Sequence, residues 1–134
     1  VMGTPYFMAP EQASASASVD ARADVYALGA VLYRAVTGQA PFTGPDTPSI
    51  LFDVVYRMPE RPSALRRRLP RDVDRVLALA MAKRPEERFG SAGELAAAFE
   101  AAVVGRLPDR LVEKGDRSCE KNAWGQMIGA PGPS

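Results

Sequence analysis

Histidine is absent from the 134 residues of this chain. That absence removes the Ser-His-Asp triad, the Cys-His pair and every imidazole general base. It also removes the zinc sites built on imidazole, and the single cysteine, Cys119, supplies no alternative ligand set. One cysteine forms no internal disulfide, which fits a reducing compartment, and a cytoplasmic location is expected. No apolar run approaches the roughly 20 residues of a membrane-spanning helix, and no signal peptide is visible. Excess charge is lacking as well. The net charge is +1, so nothing predicts bulk attraction to nucleic acid or to an anionic membrane. Aromatics contribute only 7% of residues, against 46% hydrophobic residues rich in alanine. That balance favours small-residue helices over a β-sandwich. The length suits one domain.

Residues 1–12, VMGTPYFMAPEQ, carry two prolines and a glycine and read as an ordered loop. A short polar link, ASASAS, follows at 13–18. Residues 21–37 read as a helix that Ser18 or Asp20 can cap and Gly38 can end. Its Val25, Leu28, Val31, Leu32 and Val36 lie on more than one face, which places it at the centre of a domain. Thr47-Pro48 resembles an N-cap followed by proline at the first helical position. Leu51, Val54, Val55 and Met58 then hold a helical stripe that Pro59 stops. Residues 59–69 read as a loop, and Arg66, Arg67 and Arg68 as its solvated charges. Pro70 opens the next helix, with Val73, Val76, Leu77, Ala80 and Met81 on one face, broken by Pro85. Ser91 and Glu94 form an S-x-x-E capping box, each side chain bonding the other's free backbone donor. Leu95, Ala98, Phe99, Ala102 and Val103 continue that helix to a stop at Gly105. Residues 106–134 are rich in charge, Gly and Pro and read as a largely disordered tail with a helical turn near Leu111. Cys119, within that tail, reads as incidental.

Four elements in order carry a family resemblance. They are GTPYFMAPEQ at 3–12, the D-x-Y-x-L-G pattern from Asp24 to Gly29, TGQAPF from Thr37 to Phe42, and KRPEERFGSAGEL from Lys83 to Leu95. Together they resemble Hanks-type serine/threonine protein kinases of bacterial flavour, with Ala9-Pro10-Glu11 as the A-P-E element. The resemblance covers about residues 1–105. It implies an all-α fold of about four helices, the lower helical part of the C-lobe, without the N-lobe or the catalytic loop. Residues 106–134 fall outside it.

The family pattern also implies roles. The loop Gly3-Thr4-Pro5-Tyr6 would lie beside the bound peptide, with Thr4 touching the catalytic loop. Glu11 would pair with Arg88, tying the activation segment to the base of the lobe. Asp24, set in a near-apolar helix, would be a buried carboxylate that accepts hydrogen bonds from the catalytic loop. Gly29 closes the second motif. The helix at 47–58 resembles the family's substrate- and partner-docking helix. A working kinase also needs a Gly-rich loop, a strand lysine, H-R-D and D-F-G, and none is present. The chain therefore reads as a C-terminal fragment with no cofactor site of its own. ATP and Mg²⁺, and protein Ser/Thr substrates, belong to the parent enzyme. The alternatives are a noncatalytic helical interaction module and a truncated reading frame without independent activity. Apolar surface left open by the missing elements leads to an expectation of marginal stability or self-association.

Overall fold

The computed structural model describes residues 7–13 and 20–128. Gly3, Thr4, Pro5 and Tyr6 lie outside the described residues, as does most of the 13–18 link. Among the described residues the architecture is all-α, with only an isolated antiparallel bridge between Arg57 and Met127. Helix α1 is a single turn, Pro10–Ala13, and α2 runs Ala21–Thr37. Then come α3 (Thr47–Tyr56), α4 (Pro62–Leu65) and α5 (Arg71–Ala80). A 3-10 turn, Pro85–Glu87, leads to α6 (Ala92–Val103) and α7 (Asp109–Lys121).

Local chemistry sets most boundaries. Asp20 caps α2 by accepting the Arg22 N–H, and Gly38 ends it in the left-handed region at φ 79°. At α3 the cap is Asp46, not Thr47. Its carboxylate accepts the Ser49 N–H at 2.9 Å, and that bond holds the carboxyl below its ordinary range. The Ser91–Glu94 box is displaced by one residue. Ser91 Oγ accepts the Glu94 N–H at 3.2 Å, but the Glu94 carboxylate takes the Gly90 N–H instead, also at 3.2 Å. Gly105 follows α6 at φ 75°.

The core is organised around α5, which packs against α2, α4, α6 and α7. Val73, Val76, Leu77, Ala80 and Met81 are all fully buried. Helix α2 does reach the core, but by a face different from its most hydrophobic residues. Ala23, Val25, Tyr26, Gly29, Ala30 and Tyr33 are buried, whereas Leu28, Leu32 and Val36 are half-buried and Val31 is exposed. The reason is the close crossing of α2 and α5. A Cβ on Gly29 would stand 2.8 Å from the Cβ of Ala80. A smaller cluster of Phe42, Ile50 and Val54 anchors α3.

Three expectations need correction. The helix count exceeds four, because α1 and α4 fall in segments read as loop and α7 extends far beyond a turn near Leu111. The segment 59–69 is not all loop, since Pro62–Leu65 forms a turn of helix. The tail is not largely disordered, since Asp109–Lys121 is a 13-residue helix packed on α5. Helix α7 escapes a hydrophobic pattern search because its buried positions are Leu111, Gly115 and Ser118. Small residues serve there because the backbones nearly touch. A Cβ on Gly115 would lie 2.5 Å from Arg75 Cβ and 3.2 Å from its Cα. Beyond α7, Gly125 N–H donates to Pro59 O (2.7 Å), Met58 N–H to Gln126 O (3.0 Å) and Ile128 N–H to Tyr56 O (2.6 Å). Trp124 packs beside Tyr33 with ring centroids 6.2 Å apart.

Gly115→Ala is therefore expected to destabilise the chain by about 1–3 kcal/mol, because overpacking outweighs the gain in helix propensity. Urea denaturation followed by circular dichroism measures this. An unchanged or higher midpoint would show that α7 does not dock as described.

Candidate functional site

The most demanding polar assembly gathers around Arg88, whose side chain is fully buried. All five of its N–H donors have acceptors. Nη1 and Nη2 each donate to one Glu11 carboxylate oxygen at 2.9 Å, a two-pronged pair. Nε donates to Ala82 O at 2.8 Å, Nη1 also to Arg22 O at 3.0 Å, and Nη2 also to Lys83 O at 3.3 Å. The guanidinium carbon sits 5.0 Å from the centre of the Tyr26 ring. Arg22 answers by donating to Pro85 O (2.8 Å) and Arg88 O (3.3 Å). One buried cation thus fastens the turn carrying Glu11 to the first turn of α2 and to the 82–88 segment. Only a planar five-donor group fits this set of acceptors.

Lys83 extends the assembly toward α3. Its Nζ donates to Val54 O at 2.6 Å and lies 5.1 Å from the Phe42 ring centre and 5.8 Å from that of Tyr26. Burial first, and the neighbouring Arg88 charge second, bring its pKa down to about 7, against a smaller opposing pull from Asp53. Among the described residues the buried Tyr26 hydroxyl has no hydrogen-bond partner, and burial pushes its pKa well above the usual phenol value. Tyr33 donates to Glu60 O at 2.6 Å.

The structure brings Glu11 and Arg88 together across 77 positions of sequence. The catalytic-loop donors expected for Asp24 are not among the described residues. Asp24 is exposed in the first turn of α2, not buried among donors. Gly29 is buried at the α2–α5 crossing. Several residues went unassigned in the sequence. Lys83 enters the sequence reading only as the start of a motif, and Arg22 carries no role there. Asp74 is another, 3% exposed and accepting both the backbone N–H (2.9 Å) and the hydroxyl (2.6 Å) of Ser63. No periodicity marks such residues, because their partners are backbone groups distant in sequence. Cys119 is half-buried on α7, and burial raises its thiol pKa, away from thiolate reactivity. Among the described residues no three His, Cys, Asp or Glu side chains converge as metal ligands. Nor is any helix among them long and apolar enough to cross a membrane.

A buried arginine that clamps the glutamate of an A-P-E turn to the base of a helical assembly defines a kinase-type helical lobe. The chain belongs to the protein kinase domain family, which matches residues 1–99. It is 38% identical over 133 residues to the serine/threonine-protein kinase PknB of Mycobacterium leprae, covering 98% of this chain and 21% of that protein. It is 43% identical over 109 residues to PknB of Mycobacterium tuberculosis (81% of this chain, 17% of that protein). It is 39% identical over 122 residues to the serine/threonine-protein kinase PksC of Streptomyces coelicolor (86% and 22%). The chain thus spans about a fifth of the length of these bacterial relatives. The first of these matches runs through α7, so similarity does not stop at residue 105.

Proposed function

We propose that this chain supplies the lower C-lobe of a serine/threonine protein kinase, and that the whole enzyme transfers the γ-phosphate of ATP to protein Ser or Thr with Mg²⁺. The observation that supports this reading is the Glu11–Arg88 clamp, which ties the A-P-E turn to the lobe. On the same reading Gly3, Thr4, Pro5 and Tyr6 shape the peptide site and Thr4 contacts the catalytic loop. Exposed Asp24 is then available to accept donors from that loop. The exposed side chains of Val31, Phe52, Val103, Val104 and Met127 support self-association of the 134 residues in isolation.

The 134 residues alone are expected neither to bind ATP nor to transfer phosphate, because the Gly-rich loop, strand lysine, H-R-D and D-F-G motifs lie outside them. Calorimetric titration with Mg-ATP checks this. Magnesium-dependent binding at micromolar affinity would overturn the assignment of these residues to the lower lobe only.

A further inference from the structure

Between residues 57 and 71 the chain carries six arginines and a single carboxylate, Glu60. The near-neutral net charge therefore conceals a strong segregation, with carboxylates in excess elsewhere. Arg57 pairs with Asp53, and Arg61 lies 3.8 Å from Asp74. Arg66, Arg67, Arg68 and Arg71 are exposed, and no carboxylate among the described residues forms an ion pair with them. The backbone presenting them is ordered by Arg66 N–H to Pro62 O (2.9 Å) and Leu69 N–H to Arg66 O (3.0 Å). The Arg66 guanidinium lies over Gly38 at the C-terminal end of α2, where a Cβ would meet its Nη2 at 2.8 Å.

Next to this loop, α7 borders an open cavity of about 320 Å³ whose lining includes Asp74 and Asp116. Arg61 and Arg71 line it beside the arginine loop, and Cys119 and Trp124 line it from α7 and the segment after it. Its deeper cation, Arg75, is already engaged by Asp72 and Asp116, each at 2.7 Å. The surface thus combines unpaired guanidinium forks, which match carboxylates two-pronged, with a concave wall bearing an indole. A flat lipid surface would meet the loop and leave the cavity unfilled. An extended peptide occupies both.

We propose that this face docks an acidic peptide segment of another protein. Its Asp and Glu side chains engage Arg66, Arg67, Arg68 and Arg71, and an adjoining side chain enters the cavity against Trp124. The surface is independent of the kinase assignment.

Trp124 is the only tryptophan, so its emission reports occupancy directly. A short Asp/Glu-rich peptide is expected to give a saturable change in that emission, and its Asn/Gln counterpart none. Binding weakens as salt rises from about 0.01 M to about 0.15 M, as the screening length falls from about 30 to about 8 Å. The triple variant R66E/R67E/R68E is expected to weaken binding by about tenfold or more. R84E/R106E/R110E changes net charge equally at exposed positions elsewhere and is expected to leave binding within about twofold. Circular dichroism confirms that both variants keep their helix. Equal binding of the Asn/Gln peptide, or equal loss in both variants, overturns the proposal. So does binding to phosphatidylserine vesicles with no saturable response to the acidic peptide.

Discussion

Glu11→Ala is expected to lower the stability of the chain by about 3–5 kcal/mol, because it leaves a fully buried guanidinium without its counter-charge. The remaining carbonyl acceptors, from Arg22, Ala82 and Lys83, satisfy donors but do not neutralise the cation. Against the roughly 5–15 kcal/mol that holds typical domains, this is a large share. Glu11→Gln separates the components, since it keeps two hydrogen-bonding atoms and removes the charge. Arg88→Lys should cost about as much as Glu11→Ala, because an ammonium cannot serve five acceptors in one plane. Denaturant unfolding by circular dichroism measures all three. A loss below about 1 kcal/mol for Glu11→Ala, the range of exposed pairs, would mean the clamp is not closed in solution.

The second large effect is on pH dependence, and Lys83 sets its sign. Its folded pKa is about 7 and its ordinary value 10.5. Between those values the unfolded chain keeps a proton that the native protein has released. The unfolded state therefore binds more protons, and stability rises with pH across that window. Tyr26 and Tyr33 act oppositely from about pH 10, at the top of that window. Burial raises both of their pKa values beyond the ordinary 10.0. The native state then keeps protons the unfolded chain loses, and stability falls. Stability is expected to climb from pH 7 and peak near about pH 10, the ordinary tyrosine value. The rise amounts to several kcal/mol, at 1.36 kcal/mol per pKa unit. Lys83→Met should stabilise the protein at pH 7 and flatten the climb while leaving the alkaline fall. A climb that survives in Lys83→Met would assign it to other groups. The charged form does have local support, from Val54 O and two aromatic faces, but burial and Arg88 outweigh it.

Much of this protein is determined by local chemistry. Asp20 and Gly38 bracket α2, the period of Val73 to Met81 marks the buried face of α5, and Ser91 starts α6. The motifs suffice to indicate a kinase lobe and to suggest that Glu11 meets Arg88. Those signals lie in short windows, where side-chain spacing and capping are read directly. Tertiary structure decided the rest. Helix α7 exists as a docked element because Gly115 lets its backbone close on Arg75, a contact no window of α7 contains. Helix α2 buries Tyr26, Gly29, Ala30 and Tyr33 more deeply than its leucines, and at the crossing Gly29 admits Ala80 at short range. Asp24 is exposed because the facing elements settle which side of α2 is covered. Lys83 is perturbed by its burial in the assembled chain and by the neighbouring Arg88 charge. Packing distance and burial belong to pairs of segments, and only the assembled chain specifies which segments meet.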